Sequence, residues 1–325
     1  TGIVFSLIAV IVGYTGIGWI NKLFPPAAMG SIITIIGLEL ASSAADMAGF
    51  PVGGSNSPTM NITWVIVSMV TLVTVILCNV LLRGFLKVIP LLIGVIVGYI
   101  TSCFMGLVDF STVSNASFFV LPNIKVAHFN INAILTILPA TFVVVAEHVG
   151  HLKVTSSIVG KDFMKDPGLH KSLLGDGLST IISGMFGSVP TTTYGENIGV
   201  MALTKVYSVY VICGAGLISV ILGFSGKMSA LITTIPTPVI GGVSFLLFGT
   251  IAVSGLRTFI EEKVDFAKSR NLILASVIFI VGLSGIKLTI GAFEIKGMGL
   301  ATLVAIVLSI SFIIFDKLGI MNEKE

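Results

Sequence analysis

Ser188-Val-Pro190-Thr-Thr-Thr-Tyr-Gly195-Glu196-Asn-Ile-Gly199-Val-Met-Ala-Leu-Thr204-Lys205 is the stretch whose reading decides the fold. It interrupts an otherwise apolar sequence with a proline, a run of hydroxyls, two glycines and a carboxylate. Pro190 lacks an N–H and Gly195 is conformationally loose, so both disfavour a continuous helix before Glu196. From Asn197 onward the residues suit a short helix. The expected local structure is an extended strand followed by a half-helix. At membrane depth such a break leaves backbone N–H groups unpaired, and it is tolerated only where it lines a cavity. A polar solute is therefore expected to bind here.

Composition supports the membrane premise. Of 325 residues, 55% are hydrophobic and only 10% charged, with a mean hydropathy of +1.08. Soluble domains carry about 25% charged residues, so the chain reads as an integral membrane protein. The net charge of +3 is small, and no basic run points to nucleic acid. Cys78, Cys103 and Cys213 fall in apolar spans without a CxxC pattern and read as buried small hydrophobes. Thr1 opens directly onto an apolar span with no signal peptide, so the sequence reads as a fragment lacking its N-terminal part.

Eleven apolar segments are expected to cross the membrane, at about 2–20, 26–45, 62–82, 88–107, 132–152, 173–188, 195–206, 207–224, 238–256, 271–287 and 299–317. Two of them, 173–188 and 195–206, are short and interrupted, the sequence sign of discontinuous helices at a binding site. Alternating the segments across the membrane puts Lys22, Arg83, Lys87, Lys153, Lys161, Lys165, Lys171, Lys205, Arg257, Lys263, Lys268, Arg270, Lys317 and Lys324 on one side. Only Lys125, Lys227, Lys287 and Lys296 fall on the other. The positive-inside rule makes the richer side cytoplasmic, with Thr1 outside and Glu325 inside.

Most carboxylates lie in loops or near segment ends and read as solvated. Glu39, inside the second segment, reads as a helix–helix hydrogen-bonding group. Glu147 and Glu196 differ, the first following the apolar run Thr141-Phe-Val-Val-Val-Ala and the second sitting at the helix break. An intramembrane carboxylate costs about 2.5–3.5 kcal/mol on insertion scales and usually faces a cavity or a partner. In Glu147-His148-Val-Gly150-His151, residues 147 and 151 share a helix face and can hydrogen-bond, while His148 points about 100° away. A carboxylate beside an imidazole can exchange a proton near neutral pH, so Glu147 and His151 are candidates for proton coupling. His148 reads as a satisfied structural histidine. Metal binding is the competing chemistry, but Glu-His-x-x-His is not a zinc-protease or di-iron motif. A membrane-embedded metalloprotein stays open as an alternative from another class. Hydrolysis lacks a nucleophile-elbow sequence.

Residues Tyr194 to Ile198 would offer a carboxylate acceptor beside free backbone donors in the positive field of a helix start. A planar cyclic imide or ureide presents the complementary N–H and C=O pattern. The pattern alone leaves pyrimidine, purine, amide and sugar acid open.

Glu196-Asn197-x-Gly199-x-x-x-x-Thr204-Lys205 resembles the signature of the nucleobase–ascorbate transporter family, the nucleobase cation symporters. Ala146-Glu-His-Val-Gly-His151, Asp166-Pro-Gly-Leu-His170, Gly175-Asp-Gly-Leu-Ser-Thr-Ile-Ile-Ser-Gly184 and Thr192-Thr-Tyr-Gly-Glu-Asn197 carry the same resemblance. Within the family the likeness is to bacterial uracil carriers and extends over essentially the whole chain. The resemblance implies an all-α polytopic fold of fourteen spans in two inverted repeats of seven, divided into core and gate domains. The segments here would be spans four to fourteen, with 1–131 the C-terminal part of the first repeat (spans four to seven) and 132–325 the complete second. The core would comprise about 1–24 and 132–224, and the gate 25–131 and 225–325.

The resemblance further implies no enzyme but a proton-coupled uracil permease of the cytoplasmic (inner) membrane, working by alternating access, with the proton its only coupling ion and no other cofactor. A homodimer amid membrane lipid and a cytoplasmic C-terminus are also implied. Glu147, Gly195 and Glu196 would bind the base, and His151 would couple the proton. Tyr194 and the gate residue Phe248 are weaker candidates, and Asn197, Gly199 and Thr204 complete the motif. Purine and xanthine carriers often have Gln at the Glu196 position, which favours uracil over a xanthine or purine carrier of the same fold. The family's third span, which supplies a second strand and an aromatic to the site, has no counterpart in this sequence.

Overall fold

Each of the eleven apolar segments folds as one helix or a helix pair. The structure is a computed structural model and describes all residues except 17, 54–58, 122–123, 125–127, 291–292 and 322–325. The first segment gives α1 (Gly2–Thr15) and α2 (Gly18–Leu23), the second α3 (Pro26–Glu39) and α4 (Ala41–Met47). Then follow α5 (Ile62–Leu81), α6 (Pro90–Phe104) and the short α7 (Ser111–Asn115). The long α8 (Ile131–Val159) precedes α9 (Leu169–Met185), α10 (Gly195–Thr204), α11 (Val209–Gly223) and α12 (Gly226–Thr233). The chain closes with α13 (Thr237–Glu261), α14 (Ser269–Leu283) and, after a hairpin, α15 (Gly297–Lys317).

Local chemistry sets several boundaries. Asn130 caps α8 by accepting from the Ala133 amide at 3.1 Å, and Gly160, with φ +75°, ends it by donating to Ser156 O. Asn61 caps α5 through the Trp64 amide. Pro26–Met47, Ile62–Leu81, Thr237–Glu261 and Gly297–Lys317 are long and apolar enough to cross a membrane. Gly2–Thr15, Pro90–Phe104, Val209–Gly223 and Ser269–Leu283 are shorter apolar helices. The protein is a mostly helical, polytopic membrane protein.

The chain divides into two compact units. The first holds residues Thr1–Glu39, Ile124–Ile198 and Thr250–Glu325. Its core joins Phe5, Ile8 and Val12 of α1 to Leu169 and Leu173 of α9 and Val145 and Val149 of α8. Ile32 and Ile35 of α3, Leu274 and Ile278 of α14, and Ala301 and Ala305 of α15 continue it. Small residues allow α1 and α9 to meet closely: a Cβ on Gly2 would stand 2.7 Å from Gly177 O. Close backbone approach of this kind drives helix association where lipid removes the hydrophobic contrast. The second unit holds Leu40–Asn123 and Gly199–Gly249. There α5 packs on α6 over Gly94 and Gly98, and Tyr99 hydrogen-bonds Thr234 at 2.8 Å.

Two features differ from the sequence expectation. Residues 188–194 run without helix or strand assignment, and no partner strand lies beside them among the described residues. A strand is defined by its ladder, and here side chains bond this backbone instead. The all-α expectation also missed an antiparallel hairpin, β1 (Lys287–Ile290) with β2 (Phe293–Lys296), pairing Leu288 with Ile295 and Thr289 with Glu294. Lys287-Leu-Thr-Ile alternates polar and apolar residues, the period of a strand, but it abuts an apolar segment that masked the signal.

Candidate functional site

The break expected at Pro190–Gly195 is present. Helix α9 ends at Met185, Gly187 turns the chain at φ +76°, and α10 starts at Gly195. At any helix start the first amides lack partners within the helix, so α10 presents N–H groups where the break ends. Lys205, at φ +55°, stops α10 after ten residues.

Helix α8 brings Glu147 and His151 to this break. His151 Nδ1 hydrogen-bonds Thr193 Oγ1 at 2.8 Å. Its Nε2 faces Gly195, where an added Cβ would approach to 3.0 Å, so a side chain at 195 would press on the imidazole. Glu147 Oε1 lies 4.0 Å from His151 Nε2, with the two side chains 25% and 20% exposed. That gap is beyond hydrogen-bond reach, and the two groups would attract electrostatically only with the imidazole protonated. The expected Glu147–His151 hydrogen bond is thus not formed at this separation; Thr193 takes the other ring nitrogen and fixes the ring.

His148 has a different environment. It is 2% exposed, and its Nδ1 lies 3.2 Å from Asp176 Oδ2 while its Nε2 lies 2.8 Å from Ser172 Oγ. The Phe5 ring meets it edge-on, with centroids 6.1 Å apart. Both nitrogens are engaged inside the packed first unit.

The other candidates are placed as follows. Glu196 is the second residue of α10, and its side chain lies outside the described residues. Tyr194 is 53% exposed and Asn197 is also exposed. Gly199 and Thr204 fall in the second unit, where Thr204 Oγ1 bonds back to Val200 O at 2.9 Å. Phe248, half-buried on α13, also belongs to the second unit. Among the described residues of the first unit, Glu147, His151 and Gly195 come together. No three His, Cys, Asp or Glu side chains gather as a metal-binding group among the described residues. Glu39 accepts from the Met298 amide at 2.7 Å at the start of α15, so its partner is a helix terminus.

Sequence reasoning missed Thr193, Ser172 and Asp176, along with the hydroxyls of α9. Ser172, Asp176, Thr180 and Ser183 recur at spacings of four, four and three within an apolar helix. That polar stripe at helical period was a readable signal.

The family model described as "Permease family" matches residues 1–291. The uracil permease of Escherichia coli (strain K12) is 55% identical over 325 residues, covering 100% of this chain and 74% of its own length. The uracil permease of Paenibacillus larvae subsp. larvae is 54% identical, covering 99% of this chain and 77% of its own. That of Bacillus subtilis (strain 168) is 44% identical over 317 residues, covering 95% and 73%. A solved structure titled "The overall structure of SLC26A9" superposes with a TM-score of 0.60 at 14% identity, covering 96% of this chain and 49% of that one. At that identity it speaks for the fold alone.

Proposed function

The chain belongs to the permease family of nucleobase–ascorbate transporters, and from that premise we propose that it is a proton-coupled uracil permease of the cell membrane. The observation that carries the reading is the meeting of Glu147, His151 and Gly195 at the start of α10. The names of relatives 54–55% identical over nearly the whole chain supply the substrate.

Uracil presents N–H donors beside C=O acceptors in one plane. In this reading the carboxylates of Glu147 and Glu196 accept from the ring N–H groups, and amides at the start of α10 donate to its carbonyls. Gly195 admits the base because no side chain fills the space before His151. The proton resides on the Glu147–His151 pair, where the 4.0 Å separation lets it stabilise the loaded site. Tyr194 flanks the bound base.

The eleven segments are read as spans four to fourteen of two inverted repeats, with the C-terminus cytoplasmic. Alternating access then exposes the site to each face in turn. The like-charge asymmetry of the loops and the discontinuous α9–α10 pair support that topology. A homodimer in the lipid bilayer completes the proposal.

The test is uptake of labelled uracil by cells that lack their own uracil carrier and express the protein. Uptake should be saturable and should collapse when the inward proton gradient is dissipated. Competition by unlabelled uracil but not xanthine fixes the substrate. Uptake that survives intact in Glu196→Ala would remove that residue from the site.

A further inference from the structure

The backbone of the extended segment before α10 is held by side chains of α9. Thr180 Oγ1 of α9 donates to Thr191 O at 2.9 Å and accepts from Thr191 N at 3.3 Å. One hydroxyl thereby serves both backbone groups of a residue, the role a neighbouring strand usually plays. Ser183 Oγ donates to Val189 O at 2.5 Å. Ser179 Oγ lies 2.6 Å from Thr191 Oγ1 and donates to Asp176 O at 3.1 Å, tying the Thr191 side chain to the same helix.

The pattern runs antiparallel, with 183 meeting 189 and 180 meeting 191. Positions 180 and 183 lie on one helix face, and 189 and 191 on one edge of an extended chain. Two residues further along, the chain reaches α8. There Thr193 Oγ1 meets His151 Nδ1 at 2.8 Å. The bonds to Thr191 thus lie two residues upstream of the contact that holds the His151 ring, with Gly195 beside it. Thr180 is only 7% exposed, so water cannot easily replace its hydroxyl.

We propose that Thr180, seconded by Ser183, is a positioning residue of the transport site: its hydroxyl bonds both backbone groups of Thr191 and holds residues 189–195 in register against His151. The effect on transport rests on the uracil reading above, whereas the geometry of the clasp does not.

The discriminating substitutions are Thr180→Val, which keeps the shape and removes the hydroxyl, and Thr180→Ser, which keeps the hydroxyl. In cells, Thr180→Val should raise the KM for uracil about tenfold, the loss of roughly one to two hydrogen bonds. The maximal rate per copy of membrane-inserted protein should stay within about twofold. Thr180→Ser should behave as the parent protein. In purified protein with no nucleobase present, amide exchange over residues 189–195 should quicken about tenfold in Thr180→Val and not in Thr180→Ser.

Unchanged KM and exchange in Thr180→Val would overturn the proposal. So would equal impairment by valine and serine, or a loss of uptake fully accounted for by less protein in the membrane. Should Thr180→Val fail to insert, Ser183→Ala serves instead, with an expected rise in KM of about threefold from one lost bond; no rise overturns the clasp. If the parent protein takes up no uracil, the transport reading fails and the exchange experiment still judges the clasp.

Discussion

Gly297→Ala and Glu39→Ala should destabilise the protein non-additively. Gly297 opens α15 with φ +54°, and a Cβ there would collide with the Glu39 carboxylate. An alanine in that conformation costs about 1–2 kcal/mol from its own backbone. It also expels the carboxylate that accepts from the Met298 amide at 2.7 Å. Losing that charge-assisted bond costs about 1.5–3 kcal/mol, so Gly297→Ala should cost about 3–4 kcal/mol in all. Glu39→Ala alone should cost about 2 kcal/mol, the lost bond at a half-buried helix terminus. With Glu39 already gone, Gly297→Ala meets no carboxylate, and only its backbone strain of about 1–2 kcal/mol is left. The double variant should then be about 2 kcal/mol more stable than the sum of the singles predicts, a coupling typical of residues in contact. Equilibrium unfolding of the four proteins in mixed micelles measures the cycle. Additivity within about 0.5 kcal/mol would refute the contact as the source of both effects.

Three further outcomes follow from the same geometry. Glu147→Gln should lower the specificity constant for uracil by about tenfold or more without reducing the amount of membrane-inserted protein, as loss of one charge-assisted bond implies. His148→Ala should do the reverse, because it leaves Asp176 and Ser172 without their imidazole inside the core, at about 1–3 kcal/mol of stability; quantitative blotting beside uptake separates the two. Lys153→Glu should destabilise by up to about 1 kcal/mol, since Lys153 Nζ stands 3.0 Å from Glu262 Oε1 at a partly exposed site, and the reversed pair Lys153→Glu with Glu262→Lys should recover the loss in the unfolding assay.

Features that depend on local backbone chemistry were legible before the structure. Pro190 and Gly195 break the helix because of what each does to its own residue, so the α9–α10 interruption could be placed from the sequence. Apolar segments became helices because membrane-length runs must satisfy their own amides. Contacts between distant residues were not legible. His151 finds Thr193 42 positions away, and Glu39 finds the Met298 amide 259 positions away. Nothing in either local sequence names its partner. Thr191 and Thr193 sit in a run of three threonines, and only the fold shows that one is bound to α9 and the other to α8. The hairpin at 287–296 was hidden because four alternating residues carry little signal beside an apolar helix.

The two histidines of Glu147-His148-Val-Gly-His151 show why spacing alone under-determines chemistry. Both are within about one helical turn of the same carboxylate, so sequence separates them only by angle. Burial separates them by environment. His148, at 2% exposure, has one nitrogen on Asp176 and the other on Ser172, which leaves no ring position for exchange with a solute. His151 has Nδ1 committed to Thr193 and keeps Nε2 toward Gly195 and Glu147, with a fifth of its side chain accessible. In the proposed transport cycle, the group that takes up and releases a proton would need a ring nitrogen open to that traffic. Of the two, only His151 meets the requirement, and it does so because Thr193 holds the ring from behind.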